Sequence, residues 1–253
     1  MAFPSPCVLC HQELTGSLLG GLCAECWSGL DCWSGFVCSR CGLPLAGKVD
    51  SPKFVCAGCR LREPDFELAR SYGVYAGRLR AAVLQLKFHR REQFGTRLGR
   101  LLLRPWLAVE ANSGVRDACL VVPVPLHRSR ERERGYNQAE LLAYGFVRAL
   151  KKQDGISRVK LDTRAVVRKQ ATVPQSGLSL QGRSENVRRV FEVARAARVR
   201  EREVILVDDV MTTGATASAC AAALRRAGAR RVVVLTLARA TPQFPDTAPV
   251  TVR

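Results

Sequence analysis

Eight of the eleven cysteines in this 253-residue chain fall in four Cys-x-x-Cys pairs before residue 60: Cys7/Cys10, Cys23/Cys26, Cys38/Cys41 and Cys56/Cys59. Twelve residues separate the first two pairs, eleven the middle two and fourteen the last two. A Cys-x-x-Cys turn aims two sulfurs at one centre, and two such turns complete a tetrahedral thiolate site, so the spacing predicts two structural Zn²⁺ ions. Both sites are closed, with no position left for catalysis. A segment of about sixty residues has too little core to fold without such staples.

A disulfide framework would need an oxidising compartment, and a thioredoxin-like dithiol would need one such pair in a βαβ context, where this chain has four in series. The spacing resembles a double zinc ribbon, with short connecting hairpins such as that around Gly20-Gly21. Consecutive pairing is the inferred arrangement: Cys7, Cys10, Cys23 and Cys26 on one ion, Cys38, Cys41, Cys56 and Cys59 on the other. His11 is an alternative ligand beside Cys10, although an exposed histidine is the simpler reading. Cys119 and Cys220 read as small core residues, and Cys32 has no assigned role.

The first residues, Met-Ala-Phe-Pro-Ser-Pro-Cys, lack the basic start and apolar core of a signal peptide. No apolar run reaches the ~18–20 residues of a membrane helix, so a cytoplasmic protein without membrane insertion is expected. The formal charge of +18 falls to about +14 once eight thiolate charges are set against two zinc ions. Two stretches, Arg128 to Arg134 and Arg183 to Arg202, carry much of the arginine. Such a surface suits polyphosphate substrates or nucleic acid, and a solvated basic face equally.

Cysteine thins out after Arg62-Glu-Pro-Asp65, which places a boundary near residue 65 and divides the chain into 1–65 and 66–253. Ser71 to Ala76 reads as a short strand. Leu79, Ala82, Val83 and Leu86 recur with helical spacing. A helix over Gln93 to Arg104 is expected to end or kink at Pro105. Ala118 to Val124 is a near-continuous apolar run, as in a strand buried on both faces. Ala139, Ala143, Val147 and Leu150 mark the next helix; further strands fit Thr163 to Val167, Val190 to Val193, Val204 to Val207 and Val232 to Leu237. This alternation predicts an α/β fold, a mostly parallel sheet with flanking helices behind the small zinc module.

The segment Val204-Ile-Leu-Val-Asp-Asp-Val-Met-Thr-Thr-Gly-Ala-Thr216 joins an aliphatic strand, two aspartates, a hydroxyl-rich turn and the start of an alanine-rich helix. Free N–H groups and the positive dipole end of that helix face an anion. Gly214 allows close backbone approach, and Thr212, Thr213 and Thr216 add donors beside Ala215. Carboxylates at a strand's carboxyl end, Asp208 and Asp209, can accept from sugar hydroxyls and help hold hydrated Mg²⁺. Acidic pairs also occur near strand ends elsewhere, but a solvated pair does not explain the Thr-Thr-Gly-x-Thr loop behind it.

This segment resembles the phosphoribosyl-pyrophosphate (PRPP) signature of type I phosphoribosyltransferases. That resemblance implies that the acidic pair binds the ribose hydroxyls, that the loop wraps the 5′-phosphate, and that Mg²⁺ accompanies PRPP. Three further segments are similar to the ComF family of competence-related proteins: Pro123-Val-Pro-Leu-His127 running on to Arg134-Gly-Tyr-Asn-Gln138, Arg168-Lys-Gln-Ala-Thr172 with Pro174-Gln175, and Arg183 through Asn186. With the ribbons and Leu86-Lys87-Phe88 the likeness spans nearly the whole chain. It implies that Pro125, Leu126, Arg128 and Arg134 belong to a pyrophosphate-holding loop, and that Arg168 and Lys169 begin a flap closing over the substrate. Glu131 and Glu133, interleaved with the arginines, imply that some of these form ordinary surface pairs. His127 fits a loop histidine bonded to backbone better than a phosphate ligand.

Purine-salvage relatives commonly carry an aspartate where this chain has Thr212, which argues against a hypoxanthine- or guanine-type acceptor. The expected activity is transfer of phosphoribose from PRPP, or a related ribose 5-phosphate compound, to a nitrogen acceptor that the sequence does not identify. A competence or DNA-uptake role comes from the resemblance alone. Two other readings stay open: a non-catalytic PRPP or nucleotide sensor, and a factor that binds single-stranded DNA or competence machinery through the zinc module and arginine surface. Oligomeric state is not legible in the sequence.

Overall fold

The structure, a computed structural model, describes residues 6–14, 21–45, 51, 53–88, 92–113, 119–154, 159–169 and 190–241. Two similar cysteine units come first. In each, a short antiparallel bridge (Pro6 to Glu13, then Val37 to Pro44) closes a knuckle carrying one cysteine pair. A one-turn helix, α1 (Ala24–Ser28) or α2 (Ala57–Leu61), carries the last cysteine of the second pair. The repeat extends to detail, because Cys23 N donates to Cys7 Sγ at 3.3 Å and Cys56 N to Cys38 Sγ at 3.3 Å. The residue after each first knuckle is left-handed, His11 at φ 62° and Gly42 at φ 64°. At Gly42 the ribbon also runs so close to the next strand that a Cβ would meet the Ala69 carbonyl at 2.5 Å.

The α/β domain follows with β1 (Leu68–Val74), α3 (Gly77–Phe88), α4 (Glu92–Gly99), a 3₁₀ turn (Arg100–Leu102), α5 (Leu103–Ser113) and β2 (Cys119–Pro123). It continues with α6 (Arg128–Arg134), α7 (Gln138–Asp154), β3 (Lys160–Leu161), β4 (Val166–Arg168), β5 (Phe191–Val193) and α8 (Ala196–Val199). The last elements are β6 (Glu203–Met211), α9 (Ala215–Arg226) and β7 (Arg231–Arg239). The central sheet has the order β1-β7-β6-β2-β3 and every pairing in it is parallel. β4 and β5 pair only with each other, antiparallel, and stand apart from it.

Strand alternation divides the core. Ile205, Val207, Val233, Leu235 and Val121 pack toward α3, α4, α5 and α7, while Val204, Leu206, Val232, Val234 and Val122 pack toward α9. Each ribbon joins one of these layers. Cys7, Val8, Leu22 and Leu30 lie with Tyr72 and Leu79, and Cys38, Cys41 and Cys56 with Phe66 and Ala69. The two ribbons therefore straddle β1, an edge strand. They also cover its open backbone: Trp33 N donates to Tyr72 O at 2.9 Å, and Ala69 N to Arg40 O at 2.7 Å. The Tyr72 hydroxyl reaches Leu30 O at 2.7 Å.

Three expectations shift. β1 begins at Leu68, because ribbon 2 and β7 extend the pairing ahead of Ser71. Pro105 neither ends nor breaks its helix. It lies in the first turn of α5, where the missing N–H would have had no helical partner, and the turn of direction falls earlier, in the 3₁₀ segment. The arginine-rich segment after β2 is a short helix, with His127 Nδ1 accepting from Ser129 N at 3.3 Å as its cap. The residues 170–189, including Gln170 to Gln175 and Arg183 to Asn186, lie outside the described residues.

Because the ribbons share both layers of the core, the protein should unfold in one transition whose midpoint falls when zinc is chelated. A chain reduced to residues 66–253 would expose Phe66, Ala69, Tyr72 and Leu79 together and lose at least about 3 kcal/mol or aggregate. A truncated chain with the full-length thermal midpoint would contradict this packing.

Candidate functional site

The described residues contain two groups of four cysteines whose sulfurs lie within 4.8 Å of one another, Cys7/Cys10/Cys23/Cys26 and Cys38/Cys41/Cys56/Cys59. The consecutive pairing is the one the fold adopts. His11 is exposed and belongs to neither group. An all-sulfur, four-donor set fits Zn²⁺, and the thiols show the strain expected of ligands brought together. The contact with Cys41, against burial, brings Cys38 down to about 4. The same contact and burial push Cys41 up. At Cys7, burial is outweighed by N–H groups of Cys10, Cys23 and Leu9, and the thiol falls to about 6. Crowded thiols with one ready to ionise are poised for a cation.

The acidic pair occupies the crevice that the sheet opens. β2 ends at Pro123, opposite Val207, whereas β7 continues beside β6 to Met211. Asp208 and Asp209 therefore lie inside β6, just past the point where their neighbour on one side stops. Asp208 Oδ1 accepts from Asp209 N at 2.9 Å, and Asp209 Oδ1 accepts from Val210 N at 2.7 Å. Lys87, from the last turn of α3, reaches Asp209 Oδ2 at 3.2 Å. Burial, then the adjacent Asp209, hold the Asp208 carboxyl well above the ordinary carboxylate range, against the Asp209 N–H and Lys87, which favour the ion.

Behind the pair, Gly214 at φ 82° turns the chain into α9. Thr213 Oγ1 accepts from Ala215 N at 3.3 Å. A small cavity of about 30 Å³ is lined by Asp208, Thr212, Gly214, Ala215, Thr216 and Thr236 among others. The sequence motif is thus gathered around one hollow at the start of a twelve-residue helix. Thr236, buried on β7 opposite Asp208, bonds Ser71 at 2.6 Å.

The other predicted residues are less uniformly placed. Pro125 and Leu126 lead from β2 into α6, half-buried, while Arg128 is exposed. Arg134 donates to Gln138 Oε1 at 2.9 Å. Arg168 ends β4 over the Phe191 ring at 5.5 Å. Burial, reinforced by Arg130, draws its guanidinium below the ordinary range, with Asp208 acting the other way. Arg168 thus feels both the Arg130 cation and the Asp208 carboxylate. Lys169 is engaged across the hairpin with Glu192 at 2.5 Å.

Lys87 and Thr236 had no site role on sequence grounds. Their signals were faint: a lysine among apolar helix positions, and one hydroxyl inside Val232 to Leu237.

A parallel α/β sheet with an acidic pair and a hydroxyl-rich loop at its crevice, mounted behind two four-cysteine ribbons, defines a zinc-ribbon-bearing α/β protein. The double zinc ribbon domain family matches residues 1–60. DNA utilization protein YhgH of Escherichia coli (strain K12) is 33% identical over 241 residues, 94% of this chain and 99% of that protein. Competence protein F of Haemophilus influenzae is 31% identical over 238 residues, 92% and 96% of the two chains. The chain belongs to this family, the ComF family. Among solved structures, the glutamine PRPP amidotransferase from B. subtilis complexed with ADP and GMP aligns at a TM-score of 0.40 and 16% identity, over 61% of this chain and 30% of that one. That likeness is too remote to carry an argument. No helix among the described residues is long and apolar enough to cross a membrane.

The raised folded-state pKa of Asp208 fixes a sign. Its protonated form suits the fold, and that stabilisation is lost as pH rises through the folded-state value. Asp208→Asn should therefore raise the thermal midpoint near neutral pH. The gain over wild type should shrink on acidification. A variant less stable than wild type at neutral pH would show that the carboxylate is not strained.

Proposed function

We propose that this protein binds PRPP or a closely related ribose 5-phosphate compound and transfers phosphoribose to a nitrogen acceptor. The observation that carries the reading is the juxtaposition of Asp208 and Asp209 with the Thr212–Thr216 loop at the start of α9. The loop amides and hydroxyls suit the 5′-phosphate. The two carboxylates suit the ribose hydroxyls, and Lys87, now paired with Asp209, is free to turn to pyrophosphate once the sugar takes its place. Arg168, at the end of β4 within reach of the Asp208 charge, suits the leaving group.

In the reaction, the bond from the sugar C1 to pyrophosphate oxygen breaks and its electron pair leaves with pyrophosphate. The acceptor nitrogen then donates its pair to C1 and sheds a proton. Carboxylates beside C1 stabilise the cationic sugar of the transition state, and basic groups stabilise the departing charge. The paired carboxylates fit Mg²⁺, which binds through one or two carboxylates, water and substrate phosphates, and which supplies charge neutralisation on pyrophosphate when present.

Calorimetry with PRPP and Mg²⁺ should give a Mg²⁺-dependent signal, weakened about 100-fold or more in the Asp208→Asn, Asp209→Asn double variant. Pyrophosphate release stimulated by one member of a panel of nucleobases and amines would establish transfer. Binding without release against the whole panel would make the protein a sensor of the same ligand. No binding of PRPP or ribose 5-phosphate to zinc-loaded protein would end the reading.

A second reading concerns DNA, which the name of the Escherichia coli relative mentions. At the β3 edge, opposite the ribbons, Lys151, Lys160, Arg198 and Arg202 surround a groove of about 670 Å³ with an apolar floor. Tyr144, 50% exposed, stands on its wall. Cations flanking an exposed aromatic suit single-stranded nucleic acid. On this reading, single-strand affinity falls steeply with salt. Lys151→Ala with Lys160→Ala would then reduce the log–log salt slope by roughly 1–2. A salt slope unchanged by the pair, or no binding, would remove the groove from consideration.

A further inference from the structure

Arg239, the last residue of β7, is 5% exposed. Its Nη1 donates to Met211 O and Ala240 O, each at 2.9 Å, and also to Thr212 O. Its Nη2 points the other way, to Cys41 Sγ at 3.9 Å. One guanidinium thus joins the backbone leading into the Thr212–Thr216 loop to a ligand of the second cysteine group.

A guanidinium this buried needs a counter-charge, and no carboxylate among the described residues forms an ion pair with it. Four thiolates around Zn²⁺ carry a net charge of −2. Arg70 lies beside the same thiolates, with its Nη1 on Ser39 O at 3.0 Å. Two arginines against a doubly negative centre give local neutrality. An N–H donated to a metal-bound sulfur also holds the donor in place as well as the ligand. With zinc bound, Cys41 Sγ is fixed, and the guanidinium that donates to it is held between the metal site and the backbone ahead of the loop.

We propose that Arg239 is a positioning residue through which the second zinc site holds the anion loop, so that metal in that site sets the loop's affinity for phosphorylated ribose. Among the described residues the first site makes no such link, because its cysteines pack with Tyr72 and Leu79 on the other face of the sheet. The affinity part of this proposal rests on the PRPP reading above. The mechanical part, a loop held by a metal site, does not.

The test uses full-length, zinc-loaded protein and three readouts. Cysteine alkylation followed by peptide mass spectrometry during chelation reports which site loses zinc. Amide hydrogen exchange reports on residues 211–215, and calorimetry with PRPP and Mg²⁺ reports on affinity. In Arg239→Gln, zinc should leave the Cys38/Cys41/Cys56/Cys59 site about 10-fold faster or more, with release from the first site unchanged. Exchange in the loop should rise, and PRPP affinity should fall by about fivefold or more. Arg239→Lys, which keeps the charge but cannot span both partners, should restore zinc retention more than loop protection.

Should Arg239→Gln not fold, chelating wild-type protein until the second site alone is emptied applies the same test, with loop exchange again expected to rise. Wild-type loop exchange in the variant, or in protein emptied at the second site, would overturn the proposal. If wild-type protein ignores PRPP while loop exchange still follows the second zinc, the function assigned above fails and the coupling stands.

Discussion

A parallel sheet built from βαβ units leaves two edge strands with unpaired N–H and C=O groups, and the first of these, β1, is where the molecule is assembled. An exposed edge of this length invites pairing with another chain. Here the cysteine ribbons close it. Trp33 and Arg40 supply backbone partners to Tyr72 and Ala69, and apolar residues of the two ribbons enter the layers above and below the sheet. The ribbons are therefore part of the core rather than an appendage. Their metals, which fix two knuckles too small to hold themselves, stabilise the sheet as well. Composition alone draws a line near residue 65, but buried side chains cross it on both faces.

The acidic pair in the sheet's crevice is kept at an electrostatic cost. Two adjacent carboxylates share one lysine, and burial opposes ionisation of Asp208. Strain of this kind persists where a ligand relieves it. Lys87 is a cation that the fold sets against Asp209 at 3.2 Å.

Local features were readable from the chain, and features made by tertiary approach were not. Cysteine spacing predicted both thiol groups because a Cys-x-x-Cys turn determines its own geometry. The strand, acidic pair, loop and helix around Asp208 were readable for the same reason, since all lie within thirteen consecutive residues. Leu79, Ala82, Val83 and Leu86 are buried as their spacing required. Lys87 enters the site only because α3 crosses the sheet at the right height, and Thr236 only because β7 is in register with Asp208. Arg239 ends an apolar strand, 198 residues from the cysteine it touches, and no local pattern marks it. Pro105 misled because a proline's meaning depends on whether a helix begins or continues there.

The excess of positive charge becomes less uniform once partners are assigned. Glu25, Glu63, Glu67 and Glu203 pair with Arg78, Arg40, Arg231 and Arg230, and Asp162 takes both Arg195 and Arg198. Arg70 and Arg239 face the sulfurs of the second cysteine group. Lys151, Lys160 and Arg202, by contrast, have no ion-pair partner among the described residues, and all three border the groove at the β3 edge. In the sequence the arginine concentrates in Arg128 to Arg134 and Arg183 to Arg202, and of these Arg198 and Arg202 border the groove. At the β3 edge, at the other end of the sheet from the ribbons, these cations flank an apolar floor and an exposed Tyr144, a combination that suits an acidic polymer with stacking groups.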